Sequence, residues 1–486
     1  MYVIGLDIGT TCTKAVLVDE QGKVTATGSS GYPLLSNGCR VEQRAQDWTK
    51  AAVIAIRQAV SERDGSQVAG ISLSTQGGST VAVDENGQFL GNSVTWMDSR
   101  AQEEAAEISK ELGDEYIYRT TGWKINPALD AAKLRNLKKD PDYKGAKKYW
   151  TTLEVLNHYL TGEAVIDPTN AAMRQLYNIE KDEWDETMLT AAHTTEDELP
   201  RVKPTGEQIG VLCQKAAEET GLLAGIPVFN GAHDQYCASI GAGAIRDGDM
   251  LLSAGTTWVL MGIGTKPMFT NSFIAPGRHP VRGLYGAIAS LVCSGASLQW
   301  FKNEFLPEDF AIMNEKAAER REKTRDLFFY PYLTGACYPI WNLKAKGTFT
   351  GMNLEHDRFD FARAIMEGVA FGVKRGIADF EDNGCEIHQI TMMGGASKSP
   401  LWCQMIASIT NIPINRLNQA DICGVGAAMI AACGLGIYDS YEQAAEQMVH
   451  TEHIYEPVPE EKAFYQEKFE AYDKLWKFMQ MYYESE

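Results

Sequence analysis

The stretch on which the fold turns is "IGLDIGTTCTKAVLV", residues 4–18. Its apolar residues have strand composition, yet Asp7 interrupts them and Gly9-Thr10-Thr11 follows at once. A carboxylate at the end of a hydrophobic run is costly to desolvate unless a charge or a hydrogen-bond donor meets it. A Gly-Thr-Thr turn exposes backbone N–H groups and two hydroxyls in a tight space. The combination suits a metal-bound phosphate, and it also suits an ordinary hairpin corner. Strand alternation from Thr13 leaves the direction of Lys14 open, so Lys14 is not placed in a site.

Working outward, the same order returns about half a chain later in "DMLLSAGTTWVLMGI", residues 249–263. Strand, Gly255-Thr256-Thr257 and strand repeat there, which points to a duplicated domain. Two such turns facing each other across a cleft would hold the two sides of a polyphosphate. The alternative is a pair of corners inherited without a ligand. Asp7 separates these readings, because the second turn carries Ser253 in its place. One carboxylate on one side is what a single Mg2+ on a triphosphate needs.

The remaining pattern is α/β. Residues 2–8, 15–18, 23–27 and 68–75 read as strands, and Asp47 to Val60 as a helix with Asp47 as its N-cap. "TVAVDENGQFL" (80–90) reads as a hairpin, and residues 99–200 as a mostly helical insertion in the first domain. Strand 226–234 leads into the Gly/Ala-rich "ASIGAGAI" (238–245). The second half closes with helix 359–380, strand 387–395, helix 399–410 and the Gly/Ala-rich run 424–436. The expected units are 1–246, 247–440 and a helical tail, 441–486. In that tail Tyr465, Phe469, Tyr472, Trp476 and Met479 share one helical face, for core or partner packing, and a homodimer is admitted by it.

Charge and composition remove several function classes. The chain of 486 residues has 45 Lys and Arg against 64 Asp and Glu, a formal charge of −19, and no basic run; a nucleic-acid partner is not expected. The most apolar stretch, Gly424 to Tyr438, is too short and Gly-rich to span a bilayer, so a membrane is not expected either. Ten cysteines stand singly with no Cys-x-x-Cys, as suits reduced thiols in a cytoplasm. The N-terminus opens on strand residues without a charged-then-apolar leader pattern.

Several other segments carry chemistry. "GAHDQ" (231–235) sets Asp234 at a strand end, where ligands bind in open α/β sheets. Asp234 would serve there as general base toward a hydroxyl, or simply as a helix N-cap. His233 reads as a satisfied structural histidine. "MMGGASKSPLW" (392–402) runs a strand into Gly394-Gly395 and a helix, a nucleotide contact or a plain turn. Neither a Walker A spacing nor Gly-x-Gly-x-x-Gly occurs. "TQGG" (75–78) and "WMDSR" (96–100) lie at strand ends. Trp96, Asp98 and Arg100 supply the aromatic face, carboxylate and guanidinium typical of a sugar site. Equally, Trp96 is core and Asp98 pairs with Arg100.

Taken together these segments closely resemble the FGGY carbohydrate kinases of the sugar kinase/Hsp70/actin superfamily, in their xylulokinase/gluconate kinase/glycerol kinase-like branches. "GLDIGTTCTKAVLVDEQGKV" is similar to the family's first phosphate motif, "LLSAGTTWVLMGI" to its second and "ITMMGGASKSPLWCQMIASIT" (390–410) to its adenosine motif. "GTFTGMNLEHDRFDFARAIMEGVAF" (347–371) is similar to the C-terminal signature. The resemblance implies two duplicated actin-like (ribonuclease H-like) domains around a central cleft. It also implies transfer of phosphate from ATP to an open-chain sugar, sugar acid or polyol, with Mg2+. By that resemblance Asp234 is the general base and Asp7 positions Mg2+. Thr10, Thr11, Gly255, Thr256 and Gly295 attend the phosphates, and Gly394, Gly395 and Ala396 the adenosine. Gln76, Gly77, Trp96, Asp98 and Gln235 fall on positions lining the sugar pocket.

One departure bears on the substrate. After the glutamine matching Gln76, glycerol kinases carry Arg-Glu and xylulokinases usually Met-His, whereas this chain has Gly77-Gly78. Two small residues remove side-chain contacts and are expected to enlarge the pocket. The reading is a sugar kinase; the alternatives are a nucleotide-driven binding switch or a sensor that keeps the fold without transfer.

Overall fold

The computed structural model describes residues 1–270, 273–339 and 342–485. The chain forms two compact units. The first comprises Met1–Ile245, Pro276–Gly286 and Gln419–His450; the second comprises Arg246–Ala275, Ala287–Asn418 and Thr451–Glu486. A single cut near 246 therefore does not describe the chain, because two later segments pack with the first unit. The tail divides too: its first helix, Tyr441–Met448, lies in the first unit, while strand Thr451–Tyr455 and helix Lys462–Ser485 lie in the second.

The first unit is built on a six-stranded sheet with spatial order 208–211, 227–233, 68–75, 2–8, 12–19, 24–31. Strand Tyr2–Ile8 is central because nearly every residue in it is apolar and buried, the composition of a strand covered on both faces. It pairs parallel with Val68–Thr75 and antiparallel with Cys12–Asp19. The helix beside it runs Ala45–Val60 and caps at Arg44, so Asp47 lies inside the first turn and is not its N-cap. The hairpin forms as Asp84 accepts from the N–H groups of Asn86 and Gln88. Six helices of the inserted region fall within residues 102–191.

The Gly/Ala-rich runs become helices that lie backbone on backbone. Helix Ile422–Gly434 sits against strand Tyr2–Ile8 so closely that a Cβ on Gly5 would stand 1.8 Å from the Gly424 carbonyl oxygen. It meets helix Asp234–Gly241 the same way, with a Cβ on Gly426 placed 1.8 Å from the Cys237 carbonyl oxygen. Glycine is required at such a seam by contact, whatever its φ.

The second unit repeats the plan. Its sheet includes, in spatial order, strands 258–264, 249–254, 389–393, 414–417 and 451–455, with 249–254 parallel to 389–393. Tyr465, Tyr472 and Trp476 of the last helix are buried in this unit's core, with Phe469 and Met479 packed against it. The face set aside for core or partner packing is thus core. Among the described residues no helix is long and apolar enough to cross a membrane.

Candidate active site

Strand register brings the first unit's candidates to one edge. Ile8 pairs with Thr75, and Thr75 with His233, so three neighbouring strands end in one row. Immediately beyond that row come Gly9-Thr10-Thr11, Gln76-Gly77 and Asp234-Gln235. Segments separated by more than two hundred residues of sequence emerge together, at the carboxyl ends of parallel strands where such sheets bind ligands.

One row back, Asp7 stands between Lys14 and Ser74. The Ser74 hydroxyl donates to Asp7 Oδ1 at 2.8 Å. Burial, and then repulsion from Asp234, pushes the Asp7 carboxyl up to about 7. Lys14 turns to Asp421, with Nζ–Oδ1 at 2.5 Å, and that hydrogen bond raises the lysine. Asp421 precedes helix Ile422–Gly434, so this ion pair ties the strand carrying Lys14 to the helix that seats Gly5.

Asp234 is the first residue of its helix, and the N-cap position belongs to His233. The N-cap reading of Asp234 therefore gives way. Its side chain keeps 26 % exposure, enough to meet a ligand. Burial raises its carboxyl to about 6, against the opposing hydrogen bonds from the backbone N–H and side-chain amide of Gln235. His233 is not the satisfied structural histidine expected: Nε2 lies 3.2 Å from Asp234 Oδ1, while buried Nδ1 has no hydrogen-bond partner among the described residues.

Gly77 and Gly78 do not leave an enlarged pocket, contrary to expectation. A Cβ at Gly77 would lie 2.5 Å from His233 Cδ2 and 3.1 Å from Met173 Cγ. One at Gly78 would meet Leu129 Cδ2 at 3.0 Å and Trp96 Cβ at 3.1 Å. Side chains from elsewhere occupy the room the glycines vacate.

Polar side chains link these loops. Gln76 is buried; its backbone N–H donates to the Ile8 carbonyl and its side-chain amide to Gln43 Oε1, both at 2.8 Å. Gln43 in turn donates to the Thr10 carbonyl at 2.5 Å. The Gln76 side-chain oxygen Oε1 is buried without a partner among the described residues. Trp96 is 45 % exposed and donates through Nε1 to Thr10 Oγ1 at 3.2 Å, so it belongs to the site edge and not to the core.

Asp98, by contrast, is fully buried. It accepts from the Val41 N–H at 2.7 Å and from Arg100 Nε at 2.9 Å, and the guanidinium holds its carboxyl below the usual range despite burial. Its oxygens are engaged by protein, which gives Asp98 the work of fixing the loop that carries Trp96. Lys133 does similar work from below. Its buried ammonium donates to the carbonyls of Gly78 and Val94, at 2.5 and 3.1 Å. Sequence reasoning passed over Gln43, Lys133 and the contact of His233 with Asp234. No spacing signal connects them to the motifs; only side-chain contacts in the folded chain do.

In the second unit, Ser253 pairs with Met393, so Gly255-Thr256-Thr257 and Gly394-Gly395-Ala396 also leave one sheet edge together. The 255–257 turn and the residues Gly394 and Gly395 are exposed. Three segments converge there on backbone contacts. A Cβ on Gly295 would fall 2.1 Å from the Gly255 carbonyl oxygen, and the Ala296 N–H donates to the Thr256 carbonyl at 3.0 Å. Gly394 adopts φ +92° with Ala254 backbone atoms 2.7 Å from its would-be Cβ, a double demand for glycine. Gly395 has nothing within 4 Å of that position.

No cluster of three or more His, Cys, Asp or Glu side chains suited to a metal occurs among the described residues. A cation beside Asp7 would relieve the carboxylate repulsion described above.

Comparison with known proteins bears on the family and the fold. The model of the FGGY family of carbohydrate kinases, N-terminal domain, matches residues 2–241, and that of the C-terminal domain matches residues 250–435. The xylulose kinase of Bacillus subtilis (strain 168) is 28% identical over 482 residues, covering 98% of this chain and 96% of that protein. The gluconokinase of the same organism is 27% identical over 503 residues, covering 99% and 97%. Among solved structures, the ligand-bound xylulose kinase from Lactobacillus acidophilus superposes with a TM-score of 0.93 at 28% identity, over 100% of this chain and 99% of that one.

Proposed function

The chain belongs to the FGGY family of carbohydrate kinases, and from that membership we propose that it transfers the terminal phosphoryl group of ATP to a hydroxyl of an open-chain sugar, sugar acid or polyol. The observation that carries the reading is Asp234: a partly exposed carboxylate, raised to about 6, at the edge where three strands end in register. Asp234 accepts the acceptor hydroxyl's proton as its oxygen bonds to phosphorus and the bridging oxygen leaves with ADP. Phosphoryl transfer asks little more of a protein than positioning and charge neutralisation. Asp7 would position Mg2+, which when bound would supply that neutralisation.

Thr10 and Thr11 of the first unit, and Gly255, Thr256 and Gly295 of the second, are the proposed phosphate contacts. Gly394, Gly395 and Ala396 are the proposed adenosine contacts. Trp96 offers an aromatic wall to the sugar carbon chain, and Gln76 and Gln235 offer amides to its hydroxyls. Both glutamines hold a buried carbonyl oxygen without a protein partner among the described residues, as suits groups that await a hydroxyl donor. Ten free thiols suit a reducing compartment, in keeping with a cytoplasmic kinase.

The test is coupled ADP release across ketoses, sugar acids and polyols, beginning with xylulose, gluconate and glycerol. One acceptor should raise the rate well above background, and Asp234→Asn should lower it about 100-fold or more. Equal ATP turnover with every acceptor and with none would overturn the reading in favour of a nucleotide-driven switch. Acceptor binding with no turnover would leave a sugar sensor.

A further inference from the structure

His233 ends one strand and Gly77 follows another, yet the two share one volume. The imidazole is 7 % exposed. It lies against Gly77, with the Tyr236 ring centroid at 6.1 Å, and its backbone N–H is fixed by the Thr169 hydroxyl at 2.8 Å. Only a residue without a Cβ at 77 admits the ring, because a methyl there would stand 2.5 Å from Cδ2 and 2.8 Å from Nε2. The ring so seated puts Nε2 3.2 Å from Asp234 Oδ1. The charged groups that act on the ring are Asp234 in contact and Asp167 at longer range. Burial favours the neutral imidazole. A neutral ring has one N–H, and carrying it on Nε2 directs it at the carboxylate.

We propose that His233 is a positioning residue for Asp234, that it holds Oδ1 so that the other carboxylate oxygen is left for the acceptor hydroxyl, and that Gly77 is glycine in order to seat it. The inference rests on the kinase reading for its catalytic half. Its packing half stands alone. No bond is made or broken by the histidine; it restricts the rotamers of the base, and misplacement of a reacting group by about 1 Å costs up to about 100-fold in rate.

Two measurements on the full chain test it. In acceptor-dependent ADP release, His233→Met fills the volume without an N–H and should lower kcat about tenfold or more while the acceptor KM stays within about twofold. His233→Gln, whose amide reaches the place of Nε2, should recover much of that loss. Equal activity of the Met and Gln variants, or wild-type kcat in the Met variant, would overturn the positioning role. In thermal melting, Gly77→Ala should lower Tm clearly, and adding His233→Gly should cancel that loss, leaving the double variant no worse than His233→Gly alone. Additive losses would overturn the seating. The melting cycle reads without any acceptor, so failure of the kinase reading, seen as no acceptor-dependent turnover by the wild type, is distinguishable from failure of this one.

Discussion

A base whose carboxyl is raised to about 6 loses its function when it takes up a proton. With Asp234 in that role, kcat/KM should fall at least tenfold per pH unit well below 6, read from a pH–rate profile with the acceptor identified in the panel. Gly395 gives a cleaner residue test. Its added Cβ meets nothing within 4 Å, so Gly395→Ala should leave Tm unchanged; a rise in KM for ATP would then report the nucleotide itself and remove the plain-turn alternative for this loop. Asp7, Asp234 and the two Gly-Thr-Thr turns were legible as candidates because a polar residue at the end of an apolar strand is conspicuous in a one-dimensional pattern. Asp98 misled for the same reason. Its sequence context is that of a site residue, and only burial against Arg100 and the Val41 N–H reveals that its oxygens are already taken.

Elements were read well where periodicity was long and poorly where contact decided. Strand 68–75 and the helices near 359–380 and 399–410 match their observed bounds within a few residues. The Gly/Ala-rich runs were visible, but their purpose was not, since a run of small residues does not say which backbone it will touch. The seam between helix Ile422–Gly434, strand Tyr2–Ile8 and helix Asp234–Gly241 answers that. Gly5→Ala would force a methyl to within 1.8 Å of a carbonyl oxygen. The cost should exceed about 3 kcal/mol, the upper range for ordinary overpacking, and show as a large fall in Tm or loss of soluble protein. Both Asp7 and Asp234 are carried by elements that this seam holds, so Gly426→Ala, whose methyl would stand equally close to the Cys237 carbonyl oxygen, should depress activity together with Tm.

At the scale of the whole molecule, ion pairs and chain path take over. In the second unit Lys468 is buried beside Glu367, with Nζ–Oε2 at 2.5 Å, and Arg363 Nε meets the other oxygen at 2.8 Å. Burial alone lowers the lysine, and the carboxylate opposes it. Glu367→Gln would leave two buried cations facing an uncharged amide, and should cost roughly 3–5 kcal/mol by urea unfolding, released where the last helix meets helix Arg358–Asp382. The first unit depends on residues 419–450, which follow it by nearly two hundred positions. A fragment ending at 246 should therefore lack fixed tertiary structure, bind a hydrophobic dye and show weak near-UV circular dichroism, even though its sheet is complete. That return of the chain could not be read from sequence. A duplication predicts two tandem domains, and nothing in composition marks a helix that crosses back.

The crossing back sets a schedule for synthesis. The sheet carrying Asp7 and Asp234 leaves the ribosome early, but its covering helix ends at Gly434. At about 5–20 residues per second the interval is on the order of 10–40 s. During it the bare glycine seam and the apolar face around Val16, Cys237 and Phe229 stand open, and the nascent first unit exposes them to solvent until residues 422–434 arrive to close it.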